Sequence, residues 1–233
     1  MSKKFLCPLA ILAATGFLGI QTACAAVITI LDATQGWIES DGHNNSTFPN
    51  NNYIVGNCDN TDCGNGGGYR DFFGFAIPDL SGQTVTSAVL AIYTSGTSLD
   101  QSPSLTVGFA SLAAVPASYA ALGTGTPYGS FTYTSLNALQ TEDIPLDDAA
   151  LSAIESDQGS LFFLGGRVTS PVSFGGTEPD QWVYGSTIMQ QQLILTTGSR
   201  GGVPEPGTLA LFAAALTGFG IIRTRRQGAA RGV

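Results

Sequence analysis

The chain has 233 residues and a formal net charge of −8 at pH 7. With the two terminal segments set aside, residues 26–200 hold 3 arginines, no lysine and 16 acidic residues, a formal charge of −13. Because such a surface repels phosphate backbones, we expect no nucleic acid among the partners of this protein.

Residues 1–25 have the three parts of a secretory signal peptide: two lysines, an apolar run and a cleavage pattern of small residues. That pattern is formed by Ala23 and Ala25, so signal peptidase is predicted to cut before Ala26. A lipoprotein signal would instead make Cys24 the first mature residue, but Gln21 stands where such signals usually carry leucine. We therefore predict a protein that is exported through the inner membrane.

Residues 26–197 are predicted to form one all-β domain, an antiparallel β-sandwich or jelly roll. Short apolar runs alternate there with Gly, Pro, Asn and Ser, which is typical of strands separated by turns. Period-two spacing places Tyr69, Phe73, Phe75 and Ile77 on one face of a strand. The predicted strands lie at residues 27–31, 37–38, 69–77, 85–94, 105–110, 131–134, 161–164, 181–184 and 192–196.

Two cysteines, Cys58 and Cys63, remain once the signal peptide is removed. Two close cysteines in an exported loop rich in Gly and Asn predict a disulfide. A zinc site would need more soft ligands, and His43 is the only histidine. The small enclosed loop predicts a stabilisation of about 2 kcal/mol.

The same loop carries four hard oxygen donors in a flexible, glycine-rich context: Asp59, Asn60, Asp62 and Asn65. Calcium prefers six to eight such ligands, so a calcium site is one interpretation and the only cofactor that the sequence suggests. The spacing is not that of an EF-hand. The alternative is a solvated turn in which the Asp and Asn side chains hold the backbone.

One helix is predicted after Asp147, which is a suitable N-cap, and it ends at Gly159. Leu151 and Ile154 are three residues apart and predict the buried side of a short crossover between strands. The acidic residues of this segment are expected to cap the helix and to face solvent.

The sequence YRDFFGFAIPDLSGQTVTSAVLAIYT resembles the secreted β-sandwich domains of the DNRLRE type. In that pattern an arginine precedes an aromatic-rich strand, a turn follows, and the next strand reads SA.L.IY. The matching positions are Arg70, Phe73, Phe75, Ser87, Ala88, Leu90, Ile92 and Tyr93. The strand ends at residues 164–168 and 183–187 are also similar to domains found ahead of the tail described next.

The C-terminal segment divides into five parts. Residues 198–202 are a Gly-rich linker, and Pro204, Glu205 and Pro206 form an extended handle because proline fixes φ. Residues 208–222 are uncharged and are predicted to be a short transmembrane span. Residues 223–226 are a basic stop that belongs on the cytoplasmic side. Residues 228–233 form the tail end.

These parts, in this order over residues 203–227, resemble the PEP-CTERM sorting signal of Gram-negative bacteria. The resemblance implies transient recognition by an exosortase, a membrane enzyme that removes the tail. It implies a host that makes extracellular polysaccharide and biofilm, and a product at the cell surface or outside the cell. Its recognition residues would be Pro204, Glu205, Pro206, Arg223, Arg225 and Arg226.

Three further sets of residues are candidates for other chemistry. His43 lies in an Asn-rich loop without the context of a nucleophile. The acidic pairs Glu39/Asp41 and Glu142/Asp143 could in principle hydrolyse glycosides, but a chain this acidic produces such pairs by composition. Trp37 and Trp182 could stack on sugar rings, although buried aromatics are the commoner explanation in a sandwich.

We therefore predict an exported, tail-processed protein of the cell surface or extracellular matrix with a structural or adhesive role, and not an enzyme. The first alternative is a carbohydrate-binding module for extracellular polysaccharide, which would depend on the two tryptophans. The second alternative is a polysaccharide hydrolase.

Overall fold

A computed structural model describes residues 25–45, 52–63, 66–185 and 190–199. These residues all belong to one compact unit, Cys24–Arg200, of the two into which the chain divides. The predicted signal peptide up to residue 24 and the predicted sorting tail lie outside the described residues. Within the described ranges, no helix is long and apolar enough to cross a membrane.

Strands dominate the described residues. They are β1 (Ala26–Glu39), β2 (Tyr53–Cys58), β3 (Gly67–Ala76), β4 (Gln83–Thr94), β5 (Gly96–Leu99), β6 (Ser104–Leu112), β7 (Pro127–Thr134), β8 (Gln140–Pro145), β9 (Leu161–Val168), β10 (Gln181–Gly185) and β11 (Gln192–Ser199). Helix α1 spans Asp148–Ser156, and two short 3-10 helices span Ala120–Gly123 and Ser135–Asn137. Every strand pairing among these elements is antiparallel, which confirms the all-β prediction.

β1 is one long strand where the sequence predicts two. The predicted strands at residues 27–31 and 37–38 are two parts of it, separated by a bulge between Asp32 and Thr34. Before the bulge β1 pairs with β11, and after it β1 pairs with β3. A bulge bends a strand and increases its twist, which allows this strand to belong to two sheets.

The sequence pattern does not predict β2, β5 and β8. β8 is polar because it lies at a sheet edge: among the described strands it pairs with β4 only. β5 is short, and within the same set of strands its one partner is β10. β2 is buried throughout and shows no polar alternation. The other predicted strands overlap observed ones, and β11 continues to Ser199, two residues into the predicted linker.

The strands form two hydrogen-bonded groups that share β1. The first group has the order β1-β11-β4-β8, and the second has the order β5-β10-β2-β3-β1. The second group also has a branch: β9 pairs with the C-terminal half of β3, β6 pairs with β9, and β7 pairs with β6. The largest hydrophobic cluster takes Leu90 and Leu193 from the first group and Phe73 and Phe109 from the second. Full burial of each such side chain contributes about 1.5–3 kcal/mol, so this cluster holds the two groups together.

Helix α1 forms as the sequence predicts. The Asp147 side chain caps it by accepting a hydrogen bond from the Ala150 backbone N at 3.0 Å. Ile154 is buried in the main cluster, and Gly159 has a φ of +74°, a conformation that favours glycine. The helix connects β8 of the first group to β9 of the second, so the predicted crossover is confirmed.

Tyr69 is not buried in the same cluster as the three residues predicted to share its face of the strand. Phe73, Phe75 and Ile77 join the main cluster, whereas Tyr69 packs in a separate cluster with Ile54. The strand that neighbours β3 changes along its length. β2 pairs with β3 as far as Tyr69, and β9 pairs with it from Asp71 onward. This second cluster lies beneath the candidate site.

Candidate functional site

Trp37 and Trp182, which the sequence suggests as sugar-stacking residues, line the same pocket, which has a volume of about 570 Å³. Two further aromatic residues, Tyr69 and Tyr184, complete an aromatic lining. Both tryptophans and Tyr184 are partly exposed, whereas Tyr69 is buried. Pockets of this size are common for small ligands and sugar units.

The strand register explains how these residues meet. Trp182 of β10 lies opposite Gly56 of β2, Gly56 lies opposite Tyr69 of β3, and Tyr69 lies opposite Glu39 of β1. Four strands therefore contribute neighbouring positions in one row. Gly56 has a φ of +131°, and a Cβ atom there would overlap the backbone oxygen of Gln181. Glycine at this position lets β2 and β10 approach closely.

Contacts with neighbouring rings hold Trp37 in place. Its ring centroid lies 5.2 Å from that of Tyr69 in an edge-to-face arrangement and 5.6 Å from that of His43. The backbone N of Trp37 donates to Oδ1 of Asn45 at 2.7 Å. The turn after β1 thus orients the tryptophan, and it carries His43, an exposed loop residue that also lines the pocket.

Glu39 is the buried carboxylate of this pocket, with 1% of its surface exposed. Burial raises the pKa of Glu39, and a hydrogen bond donated by the Tyr69 hydroxyl opposes that rise. Its Oε1 atom has no hydrogen-bond partner within the described part of the chain, and neither has Nε1 of Trp182. The pocket wall therefore contains an unused acceptor and an unused donor. Unpaired buried polar atoms are uncommon, and each needs an explanation, of which a ligand in the adjoining pocket is one.

The predicted disulfide between Cys58 and Cys63 is present, and Cys63 lines the pocket. Hydrogen bonds donated by backbone amides of the loop dock it onto the segment before β10. Asp59 N donates to Oδ1 of Asp180 at 2.7 Å, and Asn60 N donates to the backbone oxygen of Gly176 at 3.0 Å. The disulfide loop is thus a fixed rim of the pocket.

Two of the predicted calcium ligands, Asp59 and Asp62, lie together with Asp180, and one carboxylate oxygen of each lies within 4.8 Å of the others. Asp62 is exposed and Asp180 is buried; the side-chain contact with Asp180 is the largest cause of a raised pKa at Asp62. Asn60 instead places its side-chain oxygen against Gly176, and Asn65 lies outside the described residues. The sequence did not suggest Asp180, which is remote from the loop along the chain.

The C-terminal segment matches a known sequence family. The family model of the PEP-CTERM protein-sorting motif covers residues 202–226. The chain carries a PEP-CTERM sorting motif. This PEP-CTERM match includes the Pro204–Pro206 handle and ends at Arg226, and it indicates an exported protein that an exosortase processes, located at the cell surface or outside the cell. No curated protein matches the chain.

The PEP-CTERM motif assigns no chemistry to the domain, and the remaining candidates are dispersed. In the first acidic pair, Glu39 lines the pocket, whereas Asp41 is absent from the described lining of the pocket. Glu142 and Asp143 lie on β8, where Glu142 accepts a hydrogen bond from Nδ2 of Asn137. Of these four carboxylates, Glu39 is therefore the one that belongs to the described pocket lining.

Arg70, the arginine of the DNRLRE-like segment, makes internal contacts. Its Nη1 donates to the backbone oxygen of Tyr119 at 3.0 Å, and its guanidinium lies 4.0 Å from the centroid of the Tyr119 ring. These contacts attach the 3-10 helix at Ala120–Gly123 to β3. The arginine thus has a packing role in this domain.

Proposed function

We propose that this protein is an exosortase-processed protein of the cell surface or matrix that binds extracellular polysaccharide through the pocket of Trp37 and Trp182. The observation that supports this proposal is the meeting of these two tryptophans, from opposite ends of the domain sequence, in one aromatic pocket. Binding to the polymer would give the domain its adhesive role after the tail is removed.

A sugar ring presents two kinds of surface, its apolar C–H faces and its hydroxyl groups. The apolar C–H faces of a sugar pack well against aromatic rings, and Trp37 and Trp182 provide such rings at low entropic cost because Trp37 is already held by its neighbours. The hydroxyl groups need hydrogen-bond partners, which Oε1 of Glu39 and Nε1 of Trp182 would provide.

The proposal makes the domain a binding module without hydrolytic activity. A retaining or inverting glycosidase needs two carboxyl groups flanking the scissile bond. The described pocket lining contains two carboxylates in unlike settings, Glu39 buried in the wall and Asp62 exposed on the rim, whereas Asp41, Glu142 and Asp143 do not belong to it.

The test uses mature protein purified from culture supernatant and the extracellular polysaccharide of the same organism immobilised on a resin. We expect retention by the wild type, and a dissociation constant at least about tenfold higher for Trp37→Ala and for Trp182→Ala, a loss of about 1.4 kcal/mol or more. Trp182→Phe keeps a ring and should lose less. Phe174→Ala is the control, because Phe174 is 48% exposed and does not line the pocket. Retention that is equal for all variants would refute the proposal.

A further inference from the structure

We propose that the pocket selects a positively charged amine, so that the polysaccharide it binds carries hexosamine units with free amino groups. This inference rests on the proposed function and adds the chemical class of the ligand. It follows from the distribution of charge around the aromatic rings.

The charged groups at the pocket are almost all acidic. Glu39 and Asp62 belong to its lining, and Asp59 and Asp180 lie beside Asp62. The described lining contains no arginine or lysine, and its histidine, His43, is the one group there that could carry a positive charge. Residues 46–51, 64–65 and 186–189, which adjoin the described part of the site in sequence, contain no charged residue. An anionic sugar would therefore meet repulsion, and a cationic one attraction.

The buried carboxylate gives this attraction a specific place. Glu39 is enclosed in the wall, and its Oε1 atom has no hydrogen-bond partner within the described ranges. A buried acceptor without a partner is unfavourable, and an ammonium group in the adjoining space would compensate for it. A neutral acetamido group in the same space would donate one N–H bond to the carboxylate and would bring no charge of its own.

The aromatic residues favour the same ligand. Ring faces attract cations through their quadrupole, and Trp37, Tyr69, Trp182 and Tyr184 line one pocket. Aromatic rings combined with carboxylates are the usual protein environment for an organic cation. A hexosamine with a free amine satisfies both the stacking surface and the charge, since it has a sugar ring and an ammonium group.

The test exploits the composition of the chain. The chain contains two tryptophans, and both line the pocket. Intrinsic tryptophan fluorescence therefore reports binding at this site. The exported protein is titrated at pH 6 with three oligosaccharides of equal length: a β-1,4-glucosamine oligomer, its fully N-acetylated counterpart and a uronic acid oligomer. We expect the glucosamine oligomer to bind at least tenfold more tightly than the acetylated one, and the uronate to bind most weakly. High salt should reduce the first affinity most.

Two variants identify the carboxylates responsible. Glu39→Gln should lose most of the tenfold preference while still binding the acetylated oligomer. Because Glu39 is buried, Asp62→Asn is made in parallel; Asp62 is exposed, so its replacement tests the charge with little risk to folding. Asp143→Asn, an exposed carboxylate on β8 away from the pocket, is the matched control and should leave the preference unchanged.

The outcomes separate the two proposals. Equal or tighter binding of the acetylated oligomer or the uronate overturns the amine preference but leaves polysaccharide binding intact. Absence of binding by all three, and by the organism's own polymer, overturns both. Ethanolamine is the last probe, since it carries the amine without a ring. If it binds as tightly as the glucosamine oligomer, the pocket recognises an amine of another source, such as a lipid headgroup, and the hexosamine assignment is wrong.

Discussion

Asp71 of β3 and Gly166 of β9 lie directly opposite each other, and a Cβ atom at Gly166 would overlap Oδ1 of Asp71. The carboxyl group thus occupies the space that a side chain on β9 would fill. Asp71 is fully buried, and neither of its oxygens has a hydrogen-bond partner within the described residues. Burial raises its pKa from 3.8 to about 8, and the nearby backbone amides of Asp71 and Gly166 offset this rise only in part.

The first prediction is a loss of stability as the pH rises. Because the folded-state pKa of Asp71 lies above the unfolded value, its protonated form stabilises the fold fully below about pH 4. That contribution falls as the pH rises and is gone above about pH 8; its size is on the order of several kcal/mol. We expect Asp71→Asn to lose much less stability between pH 6 and 8.5 than the wild type in urea denaturation. Parallel pH profiles for the two proteins would show that Asp71 does not carry this dependence.

The second prediction concerns Gly56, which lies between Trp182 and Tyr69 in the row of paired strands. Gly56→Ala adds a Cβ atom that overlaps the backbone of Gln181, in addition to the strain of a positive φ. We expect it to destabilise the fold by more than about 2 kcal/mol and to shift the tryptophan fluorescence. Gly82→Ala is the matched control, because Gly82 has a φ of +80° with nothing near its Cβ position. Similar losses for both would mean that backbone strain alone is responsible.

The third prediction concerns the disulfide. Non-reduced, unfolded mature protein should show no reactive thiol, because Cys58 and Cys63 are bridged. Reduction should cost about 2 kcal/mol in the free energy of unfolding, since the bridge encloses a short loop. It should also change the tryptophan emission, because Cys63 contacts the same pocket. Stoichiometric thiol labelling without reductant would contradict the bridge.

The fourth prediction tests calcium at Asp59, Asp62 and Asp180. A cation would relieve the repulsion between Asp62 and Asp180, so we expect millimolar calcium to raise the melting temperature by several degrees over chelator. Asp62→Asn should abolish the shift, whereas Asp143→Asn should retain it. If calcium has no effect on the wild type, the loop is the solvated turn that the sequence offers as the alternative.

The fifth prediction concerns the sorting motif at residues 202–226. We expect the protein isolated from culture supernatant to lack the residues beyond about Pro206, which intact mass spectrometry measures. Glu205→Ala should leave export intact and hold the full-length chain in the membrane fraction. Gly228→Ala, outside the matched residues, should behave as the wild type. A supernatant protein that retains Arg223 would show that the tail is not removed.

Local sequence signals predicted the local features of this protein. Helix α1 was predictable because its cap, its buried residues and its terminating glycine lie within one short segment. The disulfide was predictable because two cysteines remained close together. β8 was missed because its polarity reflects its edge position, which depends on pairing with β4.

The candidate site depends on long-range pairing and was predictable only in part. Composition made Trp37 and Trp182 candidates, but their meeting follows from a row of positions across β10, β2, β3 and β1. The sequence does not show which strands of that row are neighbours, and it does not predict β2. Asp180 was missed for the same reason, since it reaches the disulfide loop through the fold and not along the chain.

The pairing of Ala26 with Thr197 joins the first strand of the domain to the last. A chain that crosses a membrane from its N-terminus exposes β1 long before β11, so this half of β1 lacks its hydrogen-bonding neighbour during nearly all of translocation. Contacts between residues so distant in sequence form slowly, and an unpaired strand edge invites aggregation in the interval. The final strand emerges immediately before the residues of the sorting motif. Completion of this sheet and emergence of the sorting motif are therefore successive events at the end of export.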